Sequence, residues 1–193
     1  AIWPDAERWR RGYVVDSDTI RSRGLDLDRW VWSRKRIAWN KPMTAVCPSR
    51  WLANRAASSL LLRDWRIEVI PNPIDTDTWR PRPKAEARAR LKLPADEPLV
   101  VFGAIGGTSD KNKGADLLKT ALERLAAGRK RPFRLGIFGQ SFPEPGEHWP
   151  VPATYFGYIK GTEHLMDVYA AADVVVVPSR FENLPNIAVE AQC

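Results

Sequence analysis

The segment Leu-Val-Val-Phe-Gly-Ala-Ile at residues 99–105 is an unbroken apolar run, typical of a strand buried in a parallel sheet. It is followed by the glycine- and lysine-rich segment Gly-Gly-Thr-Ser-Asp-Lys-Asn-Lys-Gly at 106–114 and by a predicted amphipathic helix at 115–127. Five apolar side chains are predicted to share one face of that helix: Leu117, Leu118, Ala121, Leu122 and Leu125. A buried strand, a glycine-rich loop and a helix in this order predict an open α/β sheet with ligands at its carboxyl edge.

The rest of the chain repeats this alternation of strand and helix. Downstream, strands are predicted at 133–138, 154–156 and 173–177, and helices at 163–171, with Thr162 as its cap, and from Pro185 onward. Upstream, helices are predicted at 25–39, 50–62 and 84–92, and strands at 43–47 and 67–70. The pattern predicts an α/β fold, a Rossmann-like parallel sheet with helices on both faces, preceded by part of a second α/β domain. A proline cluster at 71–83 predicts a domain boundary, with domains at 1–80 and 81–193.

Composition excludes several classes of protein. The 193 residues are 44% apolar and 27% charged, which is typical of a globular chain and not of a disordered one. The two cysteines and two histidines lack zinc-ligand spacing, so no metal site is predicted, and the few cysteines favour a reducing, cytoplasmic compartment. No apolar run approaches the about 20 residues of a membrane-spanning helix. Because the chain begins at Ala1 and stops inside a predicted helix, we expect it to be a piece of a longer protein.

The basic charge is unevenly distributed along the chain. Residues 1–82 hold 16 of the 30 Lys and Arg, 10 of the 23 Asp and Glu, and eight of the nine Trp. Such a surface can face nucleic acid, an anionic membrane or an acidic substrate. The alternative is that arginine stems pack on tryptophan faces and the charge is merely solvated.

Three predicted loops leave the carboxyl ends of strands, at 106–114, 139–152 and 178–185, and they converge on one crevice in this fold. Glycines in the first loop allow a backbone to approach a phosphate closely, and lysines supply positive charge. Its candidate phosphate-binding residues are Gly106, Gly107, Lys111, Lys113 and Gly114. The loop matches neither the Walker A pattern nor GxGxxG, so a solvated surface loop is the alternative.

The third loop contains the most informative pattern. It reads Pro-Ser-Arg-Phe-Glu-Asn-Leu-Pro-Asn at 178–186, and Glu182 and Glu190 are eight residues apart. One carboxylate in the loop and one on the predicted helix flank an anion site at the helix N-terminus. Carboxylates accept hydrogen bonds from sugar and ribose hydroxyls. The alternative is that either glutamate is an ordinary first-turn residue favoured by the helix dipole.

At these residues the chain resembles the nucleotide-sugar-dependent glycosyltransferases of family 4, which have the GT-B fold of two Rossmann-like domains. The resemblance covers residues 42–193. The matching stretches are VIPNPID at 69–75, KG at 113–114, LL at 117–118, FGYI at 156–159, YAAAD at 169–173, PSRFENLP at 178–185 and EA at 190–191. Residues 1–41, with DRWVW at 28–32, are similar to the subset of the family that builds cell-surface polysaccharides.

The resemblance implies transfer of a sugar from a nucleotide sugar, such as a UDP-, GDP- or ADP-hexose, to a saccharide or lipid-linked acceptor. It implies retention at the anomeric carbon and no required metal or cofactor. Because the chain holds most of a donor site but only part of the acceptor domain, it is expected to be inactive in transfer by itself. Glu182 and Lys113 would be the catalytic residues, because Glu182 would hold donor hydroxyls and Lys113 would stabilise the departing diphosphate. Glu190 would hold the ribose. The other donor-binding residues that it implies are Gly106, Gly107, Lys111, Gly114, Gly139, Tyr158, Ile159, Asn183, Leu184 and Pro185.

One position departs from the family pattern. Where the family commonly has Gly-Arg ahead of Lys-Gly, this chain has Gly103-Ala104 and a longer loop, so Lys111 is the candidate replacement for the missing cation. Three other interpretations stay open: a sugar-nucleotide epimerase of the same fold, a glycosidase using the glutamate pair, and a basic nucleic-acid-binding module. For a glycosyltransferase we expect no nucleic-acid partner and a cytoplasmic location, peripheral at an anionic membrane surface.

Overall fold

A computed structural model describes residues 8–14, 26–103, 108–128 and 131–193. It divides the chain into two compact units, Ala1–Asn72 and Pro73–Cys193. The division follows Asn72, eight residues before the predicted 80/81 boundary and inside the predicted proline cluster. Trp79 accordingly belongs to the second unit, where its ring lies 6.1 Å from that of Tyr169.

The first unit contains a short parallel β-α-β arrangement. Its elements are α1 (Arg8–Arg11), α2 (Leu27–Ala38), β1 (Thr44–Cys47), α3 (Arg50–Ala57) and β2 (Arg66–Val69). The two strands pair in parallel, with Thr44 opposite Arg66. Ser49 caps α3 as predicted, because its side chain accepts a hydrogen bond from the Leu52 amide at 3.2 Å. A small buried cluster forms between α3 and the sheet around Cys47.

Helix α3 is five residues shorter than predicted. It ends at Ala57, whereas the apolar pattern predicts a helix to Leu62. The Ser58 hydroxyl donates to the Arg55 carbonyl at 3.0 Å, and the Ser59 hydroxyl accepts from the Leu61 amide at 3.3 Å. Serine side chains that bond the nearby backbone compete with helical hydrogen bonding, which accounts for the early end.

The second unit is a four-stranded parallel sheet with the order β5-β4-β3-β6. Its strands are β3 (Leu99–Gly103), β4 (Arg134–Phe138), β5 (Ala153–Gly157) and β6 (Val174–Val176). Its helices are α4 (Lys84–Arg90), α5 (Ala115–Gly128), α6 (Thr162–Ala171) and α7 (Asn186–Glu190). The chain therefore steps outward from β3 to β5 and returns to the other side of β3. The predicted α/β fold with a Rossmann-like parallel sheet is confirmed, and the order reverses between β3 and β6, where such folds bind ligands.

Helices cover both faces of this sheet, as predicted. On one face, Leu118 and Leu122 of α5 pack against Phe102 and Ile137 in a buried cluster. On the other face, α4 and α6 pack against the second buried side of β3. The large buried residues on this side are Leu99, Val101, Phe138 and Val168. The strands therefore bury side chains on both sides, which accounts for the apolar runs in their sequences.

Two local predictions are wrong. Leu117, Ala121 and Leu125 are exposed, although they lie on the same broad apolar face of α5 as Leu118 and Leu122. Only Leu118 and Leu122 belong to the buried cluster against the sheet. Thr162 is the first residue of α6 and not its cap, since Gly161 occupies the cap position without a side-chain hydrogen bond.

Candidate functional site

The two predicted catalytic residues lie in contact at the point where the strand order reverses. The Lys113 Nζ atom lies 2.6 Å from Oε1 of Glu182, and both side chains are about three-quarters buried, with exposed fractions of 27% and 26%. Lys113 ends a short 3-10 turn that precedes α5, and Glu182 lies in the loop between β6 and α7. The structure thus joins an ammonium and a carboxylate that are 69 residues apart in the sequence.

Backbone and side-chain contacts hold these two loops together. The Arg180 amide donates to the Asn112 carbonyl at 2.8 Å, and the Asn112 side-chain amide donates to the Phe181 carbonyl at 3.0 Å. Gly114 has a positive φ of 70°, and a Cβ atom placed there would lie 2.2 Å from the Pro178 carbonyl oxygen. The loops therefore approach at a distance that only glycine permits at this position.

The other predicted phosphate-binding residues have different surroundings. The side chain of Lys111 is exposed, and its carbonyl accepts a hydrogen bond from the Arg180 guanidinium at 2.6 Å. Asn183 is exposed, whereas Leu184 and Pro185 are half-buried at the start of α7. Gly106 and Gly107 lie outside the described residues, as does Ala104.

Glu190 has a different partner from Glu182. Its Oε2 accepts a hydrogen bond from the Tyr169 hydroxyl at 2.8 Å, next to a pocket of about 300 Å³ that Trp79 and Arg82 also line. Burial and the bond to Glu190 raise the pKa of Tyr169, so the phenol remains a donor at neutral pH. Within the described residues, no hydrogen bond or ion pair joins Glu190 to Lys113 or Glu182.

Two further donor-binding residues that the resemblance implies, Tyr158 and Ile159, directly follow β5. Gly139 follows β4, and its amide donates to the Gly157 carbonyl at 2.8 Å. Tyr158 is 61% exposed, which leaves its ring available to a ligand. Ile159 packs against the hydrophobic cluster on the α6 side of the sheet.

The sequence analysis missed Glu147, which is the centre of a hydrogen-bond network beside this edge of the sheet. Its carboxylate accepts from the hydroxyl groups of Thr108 at 2.6 Å and Tyr155 at 2.7 Å, and from the Gln140 amide at 2.8 Å. The Trp149 indole and the Glu144 backbone amide donate to it as well, at 2.7 and 2.9 Å. The network joins the loop before α5 to the loop between β4 and β5. Trp149 was the available signal, because it is the single tryptophan outside residues 1–82.

These hydrogen bonds keep Glu147 ionised. Burial acts to raise its pKa, but the bonds from Thr108, the Glu144 amide, Gln140 and Tyr155 outweigh it and lower the pKa to about 2. Desolvation and the same contact raise the pKa of Tyr155 to about 12. At neutral pH the network therefore contains a carboxylate surrounded by neutral donors.

We expect Glu147→Gln to lower the free energy of unfolding by about 1–3 kcal/mol at pH 7, because its amide would face the N–H and O–H groups of Trp149 and Tyr155. The folded-state pKa lies below the ordinary 4.5, so the stabilisation is present above that pH and is lost as the pH falls toward about 2. Urea denaturation from pH 7 to pH 2.5 tests both points. The difference between wild type and variant should shrink on acidification, and an equal difference at every pH would contradict the assignment. Glu144→Gln, an exposed substitution in the same loop, is the control.

The site combines groups that suit a phosphorylated sugar. A lysine ammonium neutralises phosphate charge, and a carboxylate accepts hydrogen bonds from hydroxyls. In the part of the chain that the structure describes, no group of three or more His, Cys, Asp or Glu side chains is placed to bind a metal ion. No helix there is long and apolar enough to cross a membrane.

Comparison with known proteins agrees with this chemistry. The model of a family described as "Glycosyl transferases group 1" matches residues 99–193. A D-inositol 3-phosphate glycosyltransferase from Xylanimonas cellulosilytica is 34% identical over the whole chain and 50% of its own length. A glycogen synthase from Edwardsiella ictaluri is 32% identical over 78% of the chain and 30% of its own length.

A solved structure has the same fold. Sucrose-phosphate synthase from Thermosynechococcus elongatus aligns over 94% of this chain and 45% of its own, with a TM-score of 0.65 and 23% identity. The chain spans about half the length of the Xylanimonas cellulosilytica relative and of this sucrose-phosphate synthase.

Proposed function

We propose that residues 99–193 form a group 1 glycosyltransferase domain of the GT-B type and that the protein moves a sugar from a nucleotide diphosphate sugar to an acceptor with retention. The observation that carries this proposal is the contact between Lys113 and Glu182 at the switch point of the sheet. An ammonium and a carboxylate lie side by side there, and they would serve as a cation for the diphosphate and an acceptor for sugar hydroxyls.

The roles of the two side chains follow from their charges. During transfer, the bond between the anomeric carbon and the diphosphate oxygen breaks, and the acceptor oxygen forms the new bond to that carbon. Negative charge develops on the departing diphosphate, and the ammonium of Lys113 would stabilise it. Glu182 would accept hydrogen bonds from donor hydroxyls and orient the ring. Without a donor, the two charges neutralise each other, so donor binding exchanges their mutual contact for contacts to the substrate.

A panel of UDP, GDP and ADP tests the proposal, with thermal unfolding as the measurement. The correct nucleotide at 100 times its Kd should stabilise the fold by about 2.7 kcal/mol. Glu190→Ala should weaken that binding by about 1.5–3 kcal/mol, because the ribose would lose a charged acceptor. Glu123→Ala, an exposed change on α5, is the control. If none of the three nucleotides raised the unfolding temperature above that of the nucleotide-free protein, the proposal would be contradicted.

The acceptor is proposed to be a saccharide or lipid-linked saccharide of a cell-surface polysaccharide. The resemblance of the first unit to polysaccharide-building members supports this choice, while the relatives named above act on different acceptors. A sugar-nucleotide epimerase of the same fold is distinguished by its product. It would convert a nucleotide sugar in the absence of any acceptor, whereas the proposed transferase requires one.

We also propose that the enzyme works at an anionic membrane surface. Trp30 is 55% exposed, whereas Trp32 and Trp39 line a pocket of the first unit. Cations stack on these rings, with Arg34 4.9 Å from the Trp30 ring centre and Lys35 5.5 Å from that of Trp39. In the alternative explanation, these cations pack on the tryptophan rings and have no membrane role.

Co-sedimentation with vesicles separates the two explanations. If the first unit faces a membrane, the protein should bind vesicles with anionic lipids and be released by salt, since each Lys or Arg near such a surface contributes about 1 kcal/mol. Trp30→Ala should weaken this binding because an interfacial anchor is lost. Leu117→Ala, an exposed change in the second unit, is the control. Equal binding to neutral and anionic vesicles would reject a membrane role for the charge.

A further inference from the structure

Arg180 forms hydrogen bonds with three residues where the loop before α5 meets the loop between β6 and α7. Its guanidinium donates to both carboxylate oxygens of Asp116, at 2.9 and 2.6 Å, and to the Lys111 carbonyl at 2.6 Å. Its backbone amide donates to the Asn112 carbonyl. One residue thus contacts the segment immediately before Lys113 and the first turn of α5 immediately after it. We propose that Arg180 is a positioning residue, which fixes the loop that carries Lys113 relative to the loop that carries Glu182.

The spacing along the chain supports this role. Arg180 lies two residues before Glu182, and its partners lie within three residues of Lys113. Asn112 adds a second tie in the same place, because its side chain donates to the carbonyl of Phe181. Any movement of one loop is therefore transmitted to the residue next to each functional side chain. Neither Arg180 nor Asp116 needs to touch the substrate for this purpose.

Exposure and geometry argue that the contact serves position more than folding. The exposed fractions of Arg180 and Asp116 are 35% and 64%, and exposed ion pairs contribute little to global stability. The bond from Arg180 lowers the pKa of Asp116 to about 2, so the pair stays charged over the working range of pH. A planar, two-pronged contact that also reaches a carbonyl requires the guanidinium fork, which lysine lacks.

The rate at which the Lys113 amine reacts with a labelling reagent depends on its contact with Glu182, so this rate measures the positioning. In the full chain, the labelling rate of each lysine by an amine-acylating reagent can be followed by mass spectrometry. Lys113 should react slowly in wild type because it is paired and partly buried, and Glu182→Gln defines its rate when the partner charge is removed. We expect Arg180→Ala to raise the Lys113 rate about threefold or more, toward that of Glu182→Gln. Arg180→Lys should raise the Lys113 rate as Arg180→Ala does, because lysine keeps the positive charge but lacks the planar guanidinium group.

Two internal references make the result decisive. The exposed Lys92, which follows α4, should react equally in every variant. Arg134→Ala removes another arginine–carboxylate pair, to Glu97, at the opposite end of the sheet and should leave Lys113 unchanged. An unchanged Lys113 rate in Arg180→Ala overturns the proposal. A general rise at all lysines, with a lower unfolding temperature, also overturns it, because the residue would then serve folding alone.

The role of Arg180 in sugar transfer rests on the proposed function, and it is measured separately by kcat and KM. With the nucleotide sugar that supports transfer, Arg180→Ala should lower kcat about tenfold and change the donor KM less than about twofold. In a Glu182→Gln background the same change should add almost nothing, since both act through one arrangement. Independent, multiplying losses would overturn this role. Absence of transfer with every nucleotide sugar would reject the proposed function, whereas the labelling result would still decide the positioning of Lys113.

Discussion

Replacing Glu182 with glutamine in the full-length protein is expected to lower kcat/KM for sugar transfer about 10²–10³-fold while the protein stays folded. Glutamine keeps the shape of the side chain but removes its charge, and Lys113 loses the partner that lies 2.6 Å away. In the proposed reaction, the donor hydroxyls would lose a charged acceptor where orientation matters most. Initial rates at varied donor concentration, together with the unfolding temperature of the same preparation, provide the measurement.

A matched substitution distinguishes an effect specific to position 182 from the general effect of removing one negative charge. Glu123 is an exposed glutamate on α5, and Glu123→Gln removes the same charge away from the crevice. We expect this variant to transfer sugar at the wild-type rate. If Glu182→Gln retained a near-normal kcat/KM, Glu182 would not be a catalytic residue, and the contact with Lys113 would serve only to join the loops.

The parts of the fold that could be predicted are those set by local pattern. The apolar run at 99–103 is a buried strand because helices cover both of its faces, and Ser49 caps α3 because a serine before an apolar-periodic segment satisfies a free amide. The approach of Lys113 to Glu182 follows from topology, since the loops after β3 and β6 meet once these strands are neighbours.

The parts that could not be predicted depend on tertiary contacts. Helical periodicity places Leu117 and Leu118 on one broad face, but the width of the sheet decides that only Leu118 is buried. Glu147 stands in a proline- and glycine-rich loop, and its role depends on partners as distant as Thr108, 39 residues away. The bond from Tyr169 to Glu190 likewise joins two helices that the sequence places apart.

Both the fold and the candidate site depend on the absence of a Cβ atom at Gly114. Gly114 has a left-handed backbone and ends the turn that carries Lys113. A Cβ atom there would lie 2.2 Å from the oxygen and 2.9 Å from the carbon of the Pro178 carbonyl, distances that no side chain tolerates. The obstructing atoms are backbone, so they can yield only if the whole loop between β6 and α7 moves.

Gly114→Ala is therefore expected to lower the free energy of unfolding by about 2–4 kcal/mol, from the left-handed backbone together with the steric overlap. Transfer should fall as well, because the displaced loop carries Glu182 away from Lys113. Urea denaturation measures the loss of stability, and faster labelling of Lys113 reports the displacement of the loop without any substrate. Gly128→Ala is the matched control, since Gly128 ends the same helix with nothing within 4 Å of an added Cβ, and it should be neutral or stabilising by up to about 1 kcal/mol. If both glycines tolerate alanine equally, the two loops do not approach as closely as Lys113 and Glu182 require.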